Sequence, residues 1–432
     1  MRFGQSKADG ISAAGYIDEL DQEIFPFISY ESYADRYPAC SILQNPPSFY
    51  AELREAAREL FFIFNKALRV FQKCPDEFMT LMDMPPKLRP FLDIPNKMDC
   101  PTYLSRFDFI LDKAGQFKCV ELNADTPCAL VEAYYGNGIA ADFVGRRDPN
   151  EGTLVQLRSL LRGIAEAAHQ FTYHTGSRDL LDDPFVFSCF HDYIEDLATT
   201  KFLMAQLPEK WTKTFVSFYD LAVDDHGVLL PDGRHAGILY RLHPLELLVE
   251  ETGPDGFLLG TKLLELYKCG KFMLFNPPES IILQCKGFQA LVWGLYEEHE
   301  FFDRHEREII EKYLTPSYFV ENRQKLAGAP YIKKPIWGRE GNGISLYDAW
   351  GKEIMQKSLT EPNEVVERQS CTELYQKFIE SRRVRIDTDS GVQNGYMTYS
   401  CFMTADKPSA VYSRFSPDEI CGVESYWVPL VE

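Results

Sequence analysis

No apolar run in this 432-residue chain is long enough to cross a bilayer, and its first residues, MRFGQSKADGISAAGYIDELDQE, lack the apolar core of a signal peptide. Histidine is scarce: there are eight, none in H-E-x-x-H or mixed Cys/His ligand spacing, which argues against a zinc site. The eleven cysteines include no C-x-x-C pair and sit scattered, often in apolar surroundings, as reduced thiols packed as small hydrophobes do. Repeats and low-complexity tracts are missing too. Positive charge is short, with 45 Lys+Arg against 64 Asp+Glu and a net charge of −19. That balance argues against nucleic-acid binding and suits a cationic substrate such as a polyamine. The expectation is a cytoplasmic protein with no membrane or nucleic-acid partner.

What the chain does have is 45% hydrophobic and 14% aromatic residues, enough for a large core. Apolar positions recur at helical spacing over 48–71, behind Ser48 as an N-cap. A Pro-rich connector covers 84–95. A helix is expected over 127–135, ending at Gly136-Asn137-Gly138, and another over 154–171 with His169 on its packing face. Short strands and helices alternate from 185 to 296. A strand at 331–335 enters a glycine-rich loop, 372–379 is a strand or short helix, and 396–402 and 410–415 close a sheet. The mixed order points to α+β rather than a regular βαβ array. The division is an N-terminal segment of no assigned role, 1–47, and one domain over 48–432.

The segment RFDFILDKAGQFKCVELNAD, 106–125, reads as two alternating strands. A two-residue loop at Ala114-Gly115 makes residues whose numbers sum to 229 face each other. Asp108 then opposes Glu121, and Arg106 opposes Asn123, with Cys119, Glu121, Asn123 and Asp125 sharing a face. Carboxylates directly across a strand pair repel, so a cation belongs between them. Mg²⁺ fits, being held by one or two carboxylates plus substrate phosphates. The alternative is a solvated hairpin face; a three-residue loop would also break the register.

A second constellation is Lys333-Lys334-Pro335-Ile336-Trp337-Gly338-Arg339-Glu340-Gly341-Asn342-Gly343. A strand delivering a lysine into a glycine loop can set an ammonium and backbone N–H groups against phosphate oxygens. Arg339 adds a rigid fork. The pattern is neither a Walker A loop nor a Rossmann fingerprint, and an ordinary surface loop is the alternative.

Together the two segments resemble the glutathionylspermidine synthase family, whose synthetase domain carries R-x-D, then E-x-N-A-D, then K-P-x-x-G-R. Here these stand as Arg106-Phe107-Asp108, Glu121-Leu122-Asn123-Ala124-Asp125 and Lys334-Pro335-Ile336-Trp337-Gly338-Arg339. Weaker matches are Glu195-Asp196 with Thr199, Tyr240 to Glu246, Asn276 to Lys286, Tyr375-Gln376 and Tyr412-Ser413-Arg414. The resemblance implies an ATP-grasp fold with a pre-ATP-grasp-like N-terminal part and no amidase domain. It implies an ATP-dependent carboxylate–amine ligase working through an acyl phosphate, with a peptide-like carboxylate and an amine or polyamine as substrates. Asp108, Glu121 and Asn123 would hold Mg²⁺, and Arg106, Lys286, Lys334 and Gln376 would bind ATP. Arg106 and Arg339 would stabilise the transferring phosphoryl group, and Thr126, Cys128 and Arg414 would meet the carboxylate substrate. Thr126 and Cys128 stand where family members offer hydroxyls, and His243 and Leu245 replace the Tyr and Trp of K-L-Y-P-W-E, so the substrates need not be glutathione and spermidine. Two other readings are a homologue that binds nucleotide or peptide without turnover, and a glycosidase using Asp108 and Glu121 as its carboxyl pair.

Overall fold

In the computed structural model the described residues are 10–29, 34–94, 98–175, 183–253, 256–339, 341–357, 372–422 and 424–432. They build an α+β architecture around a six-stranded antiparallel sheet. Its main path runs Tyr426–Trp427, Lys407–Ser416, Gly391–Thr404, Leu104–Leu111, Phe117–Asn123, with Arg383–Thr388 also pairing Gly391–Thr404. A strand exposing alternate residues to opposite sides can bury both only if both faces are covered, and here they are. Phe107, Phe109, Phe117 and Cys119 join one core with Phe49, Leu53, Leu60 and Phe64 of the helix Pro47–Lys73. On the other face Leu104, Phe402, Ala410 and Tyr412 belong to a second core with Leu157, Leu161 and Ile164 of the helix Thr153–Thr175. The side chain of His169 lies outside the described residues.

Pro46 stands at the cap position of the Pro47–Lys73 helix and Pro47 opens it, so Ser48 is helical and caps nothing. A proline tolerates the first turn because its missing N–H would have no intrahelical partner there. The expected stop at Gly136-Asn137-Gly138 is overturned. A π-turn, Glu132–Gly136, runs directly into the α-helix Asn137–Phe143. Gly136 is there for space: a Cβ on it would come 2.7 Å from the Trp427 ring.

Two further sheets flank the first. One is parallel, ordered Met273–Phe275, Ile238–Arg241, Phe185–Ser188, Lys213–Phe215, with the helix Ile194–Gln206 as a crossover. This parallel unit was not expected from the sequence, whose alternation there has strands of only three or four residues. The other is antiparallel, ordered Ser317–Tyr318, Glu373–Lys377, Tyr331–Pro335, Ser345–Tyr347, Glu353–Gln356. At the N-terminal end Ser41–Gln44 pairs with Ile11–Ser12 and, in parallel, with Leu430–Val431. No helix among the described residues is long and apolar enough to cross a membrane.

Candidate active site

The hairpin that carries the acidic cluster reaches the expected pairing by an unexpected route. Its loop has three residues, Lys113 to Gly115, closed by Gly115 N–H donating to Asp112 O at 2.9 Å. Gly115 takes φ +81°, which a side chain would resist. That loop puts Phe109 opposite Cys119, one residue off the two-residue register. A β-bulge then leaves Val120 unpaired and restores Asp108 opposite Glu121 and Arg106 opposite Asn123. The bulge also changes faces: Cys119 points into the core with Phe117, not beside Glu121 as alternation alone predicts.

The unpaired residue has a further consequence. With no strand partner, the Val120 carbonyl accepts from Lys334 Nζ at 3.1 Å and from Gln289 Nε2 at 3.2 Å. Lys334 arrives on the strand Tyr331–Pro335 and also donates to Gln376 Oε1 at 3.0 Å. Gln376 is held in turn, its Nε2 donating to Gln289 Oε1 and to Ser317 Oγ, each at 2.9 Å. Lys286 Nζ lies 3.4 Å from Glu121 Oε2 and donates to Gly338 O at 2.6 Å. The acidic ribbon and the distant lysine loop therefore meet at one place.

Within that place Asp108 is fully buried. Arg106 grips it with two bonds, Nε to Oδ1 at 2.8 Å and Nη2 to Oδ2 at 2.9 Å, while Asn123 Nδ2 donates to Oδ2 at 3.2 Å and Arg414 Nη2 lies 3.6 Å away. Burial alone would push the Glu121 carboxyl up, but Lys286, Lys334, Arg414 and Arg106 together pull it down to about 2. Burial, and then the charge of Lys286, bring Lys334 down to about 8, so its ammonium persists at neutral pH. Four cations thus face two carboxylates, a surplus of two positive charges inside a protein whose net charge is −19. Such a site attracts an anion. It also removes the electrostatic need for a metal, since arginine and lysine already separate the carboxylates. Neither is it a glycosidase pair: that chemistry needs one carboxyl to keep its proton, whereas Glu121 gives its proton up easily and Asp108 is ion-paired.

Arg339 stands apart from this cluster. It pairs with Glu246, next to Asp125 and Cys128. The Cys128 carbonyl accepts from Arg106 Nη1 at 2.8 Å, and burial followed by the charges of Asp196 and Glu195 pushes its thiol well above the usual range. Thr126 is half-buried beside it. Asp125 does not face the ligand region at all: Arg241 Nη1 and Nη2 bind it at 2.9 and 2.5 Å, and Leu245 N and Ser280 Oγ donate at 2.9 and 3.0 Å. Asn276 clamps the same corner, accepting from Tyr103 N and Leu104 N and donating to Leu104 O, Ala124 O and Asp125 O. The roles of Asp125, Arg241, Asn276 and Gln289 were not assigned from sequence. Asp125, Arg241 and Asn276 do stand in stretches that resemble family motifs; Gln289 carries no such signal. Among the described residues no group of three His, Cys, Asp or Glu side chains is disposed to hold a metal; Asp108, Glu121 and Asn123 offer two carboxylates and an amide.

A long antiparallel sheet faced by a smaller antiparallel one, with a parallel unit closing the end, is an ATP-grasp-type arrangement with a pre-ATP-grasp portion. Over 97% of this chain and 99% of the other, the fold matches a glutathione synthetase-like effector from Globodera pallida in its apo form, with TM-score 0.56 and 11% sequence identity. At that identity the likeness speaks for the fold. The chain belongs to the glutathionylspermidine synthase pre-ATP-grasp family, whose model matches residues 31–431. Membership places it at the coarse level in an ATP-grasp ligase-type family.

Proposed function

We propose that the protein is an ATP-dependent carboxylate–amine ligase, joining a peptide-like carboxylate to an amine or polyamine through an acyl phosphate. The observation that carries this reading is the meeting of Asp108, Glu121 and Asn123 with Lys286, Lys334 and Gln376 in a region of surplus positive charge. ATP, as substrate, brings the anionic oxygens that such a region lacks. Lys334 and Lys286 bind its phosphates, and Gln376, fixed by Gln289 and Ser317, gives the base a hydrogen-bonding edge. Arg106 holds Asp108 in the absence of ligand; turning its fork to a transferring phosphoryl group would free the carboxylate.

The donor set then suits a hard divalent cation: two carboxylates and one amide oxygen. Mg²⁺ held by Asp108, Glu121 and Asn123 would neutralise charge as the phosphoryl group moves. Thr126, Cys128 and Arg414 border the acyl end, and Arg339 reaches it on leaving Glu246. With no side-chain nucleophile required, the residues' work is alignment and exclusion of water from the acyl phosphate. The neutral Cys128 thiol is consistent with a binding role and not a nucleophilic one.

The test is magnesium-dependent ADP formation by purified protein across a panel of peptides and amines. Amine-dependent ADP release that vanishes in Asp108→Asn supports the ligase. Nucleotide binding with no turnover under any pairing would favour the second reading, a homologue that binds without catalysis.

A further inference from the structure

Around Cys128, on the pre-ATP-grasp side of Arg106, several buried polar groups are only partly used. Glu132 is fully buried, and its Oε2 has no hydrogen-bond partner. Tyr240 Oη and Glu246 Oε2 are in the same condition. A buried polar atom left unpaired costs about 1–3 kcal/mol, so such a group in a folded protein calls for an explanation. Glu132 lies on the π-turn that interrupts the helix after the acidic motif, a distortion that often marks functional positions. Its other oxygen is supplied: Tyr37 Oη donates to Oε1 at 2.9 Å, and the Tyr412 hydroxyl lies 2.9 Å from Tyr37, so two phenols in series point at this carboxyl. The Tyr412 ring sits under Arg106, 5.7 Å from the guanidinium carbon.

We propose that Glu132 is the catalytic group that receives the incoming amine and takes its proton. This rests on the ligase reading above and deepens it. The amine arrives as an ammonium. One N–H bond breaks, the proton bonds to Glu132 Oε2, and the electron pair stays on nitrogen. That lone pair forms the C–N bond to the acyl carbon as the C–O bond to phosphate breaks, its electrons leaving with phosphate. The second nitrogen proton goes to the departing phosphate, and the proton Glu132 has taken replaces the one it gave to solvent when the ammonium bound, which returns the carboxyl to its resting form.

The surroundings suit the task. Burial first, then the charge of Glu195, push the Glu132 carboxyl up to about 8, against the opposing pull of Tyr37 and Arg106. Cys128, neutral, and Tyr412 also feel the charge of Glu132. A carboxyl so tuned is a far better proton acceptor than an ordinary one. It is also neutral when no amine is present, so an ammonium binding beside it must expel a proton to solvent.

The experiment measures proton release on binding of spermidine by titration calorimetry in buffers of differing ionisation enthalpy, with the full-length protein. Wild type should release about one proton per spermidine near neutral pH, falling away above about pH 9 as the carboxyl ionises by itself. Glu132→Gln, which keeps an acceptor for Tyr37, should release none and bind about tenfold more weakly or worse. Tyr37→Phe removes a bond that favours the charged form, so its release should persist to higher pH. Release unchanged in Glu132→Gln, or no spermidine binding by wild type at millimolar concentration, overturns the assignment. Magnesium–ATP binding, measured in parallel, separates the two readings: if wild type binds no nucleotide the ligase reading has failed, and if it does, only the role of Glu132 has.

Discussion

Two buried aspartates of the same ribbon, Asp108 within its first strand and Asp125 two residues past the end of its second, each meet an arginine fork, and they behave differently. At Asp125 every oxygen is spoken for: Arg241, fully buried, supplies two bonds, and Leu245 N and Ser280 Oγ supply the rest. The pair is closed, and it fastens the carboxyl end of the parallel sheet to the end of the ribbon. At Asp108 the carboxylate is shared between the Arg106 fork and Asn123 and approached by Arg414, and two lysines gather at neighbouring Glu121. Charge there is unbalanced and an anion is wanted. The same pair of side chains serves as a rivet in one place and as a rest position in the other.

Breaking the rivet should have the largest effect. Arg241→Ala strands a buried carboxylate, and losing one partner of a buried pair costs about 3–5 kcal/mol. Urea denaturation should show that loss in the midpoint. A cost below about 1 kcal/mol would mean the corner is wetter than the contacts indicate. Next comes the open pair. Asp108→Asn can still accept from Arg106, so stability should shift by less than the rivet mutation, while magnesium-dependent ADP formation falls by about 10²-fold or more. If Asp108→Asn unfolds the protein and spares turnover, the contrast between the two aspartates is reversed.

Lys334→Ala sharpens the contrast from the basic side. Charged hydrogen bonds contribute about 1.5–3 kcal/mol, so ATP affinity measured by calorimetry should drop about tenfold to a hundredfold. The same change leaves the Val120 carbonyl with Gln289 as its donor, which keeps the fold in place. An unchanged affinity would remove the lysine from the nucleotide site.

How far such a site is legible in advance depends on what fixes it. Residue types were readable: an alternating ribbon with two carboxylates, and a lysine entering a glycine loop. That they meet depends on the bulge at Val120, which is invisible in an alternation pattern because its effect cancels that of the three-residue loop. The count from 108 to 121 came out right through two offsetting departures, and Cys119, lying between them, ended on the other face. Gly136-Asn137-Gly138 misleads for a tertiary reason, since Trp427 needs the space that a side chain would fill. The helix Arg304–Tyr313 had a local signal that went unread, the reciprocal cap between Asp303 and Glu306. Glu246 as the partner of Arg339 had none, because 93 residues separate them.

A third arginine–aspartate pair sets the lower bound of the comparison. Arg36 reaches Asp389 with Nη2 to Oδ1 at 2.6 Å and Nε to Oδ2 at 2.9 Å, and its own N–H donates to Oδ2 at 3.0 Å, tying the residues before Ser41–Gln44 to the turn between Arg383–Thr388 and Gly391–Thr404. Both side chains are 30% exposed, so water competes for them. The hydrogen bond from Arg36 holds the Asp389 carboxyl down at about 2. A carboxyl lowered in the folded state adds stability above its unfolded value near 4, and that contribution fades as pH falls toward 2. Arg36→Ala should therefore cost about 1 kcal/mol at neutral pH, and the gap from wild type should narrow in acid and in high salt. The gap at Asp125, shielded from solvent, should respond little to salt. If salt closed both gaps equally, burial would not be what separates the rivet from the surface tie.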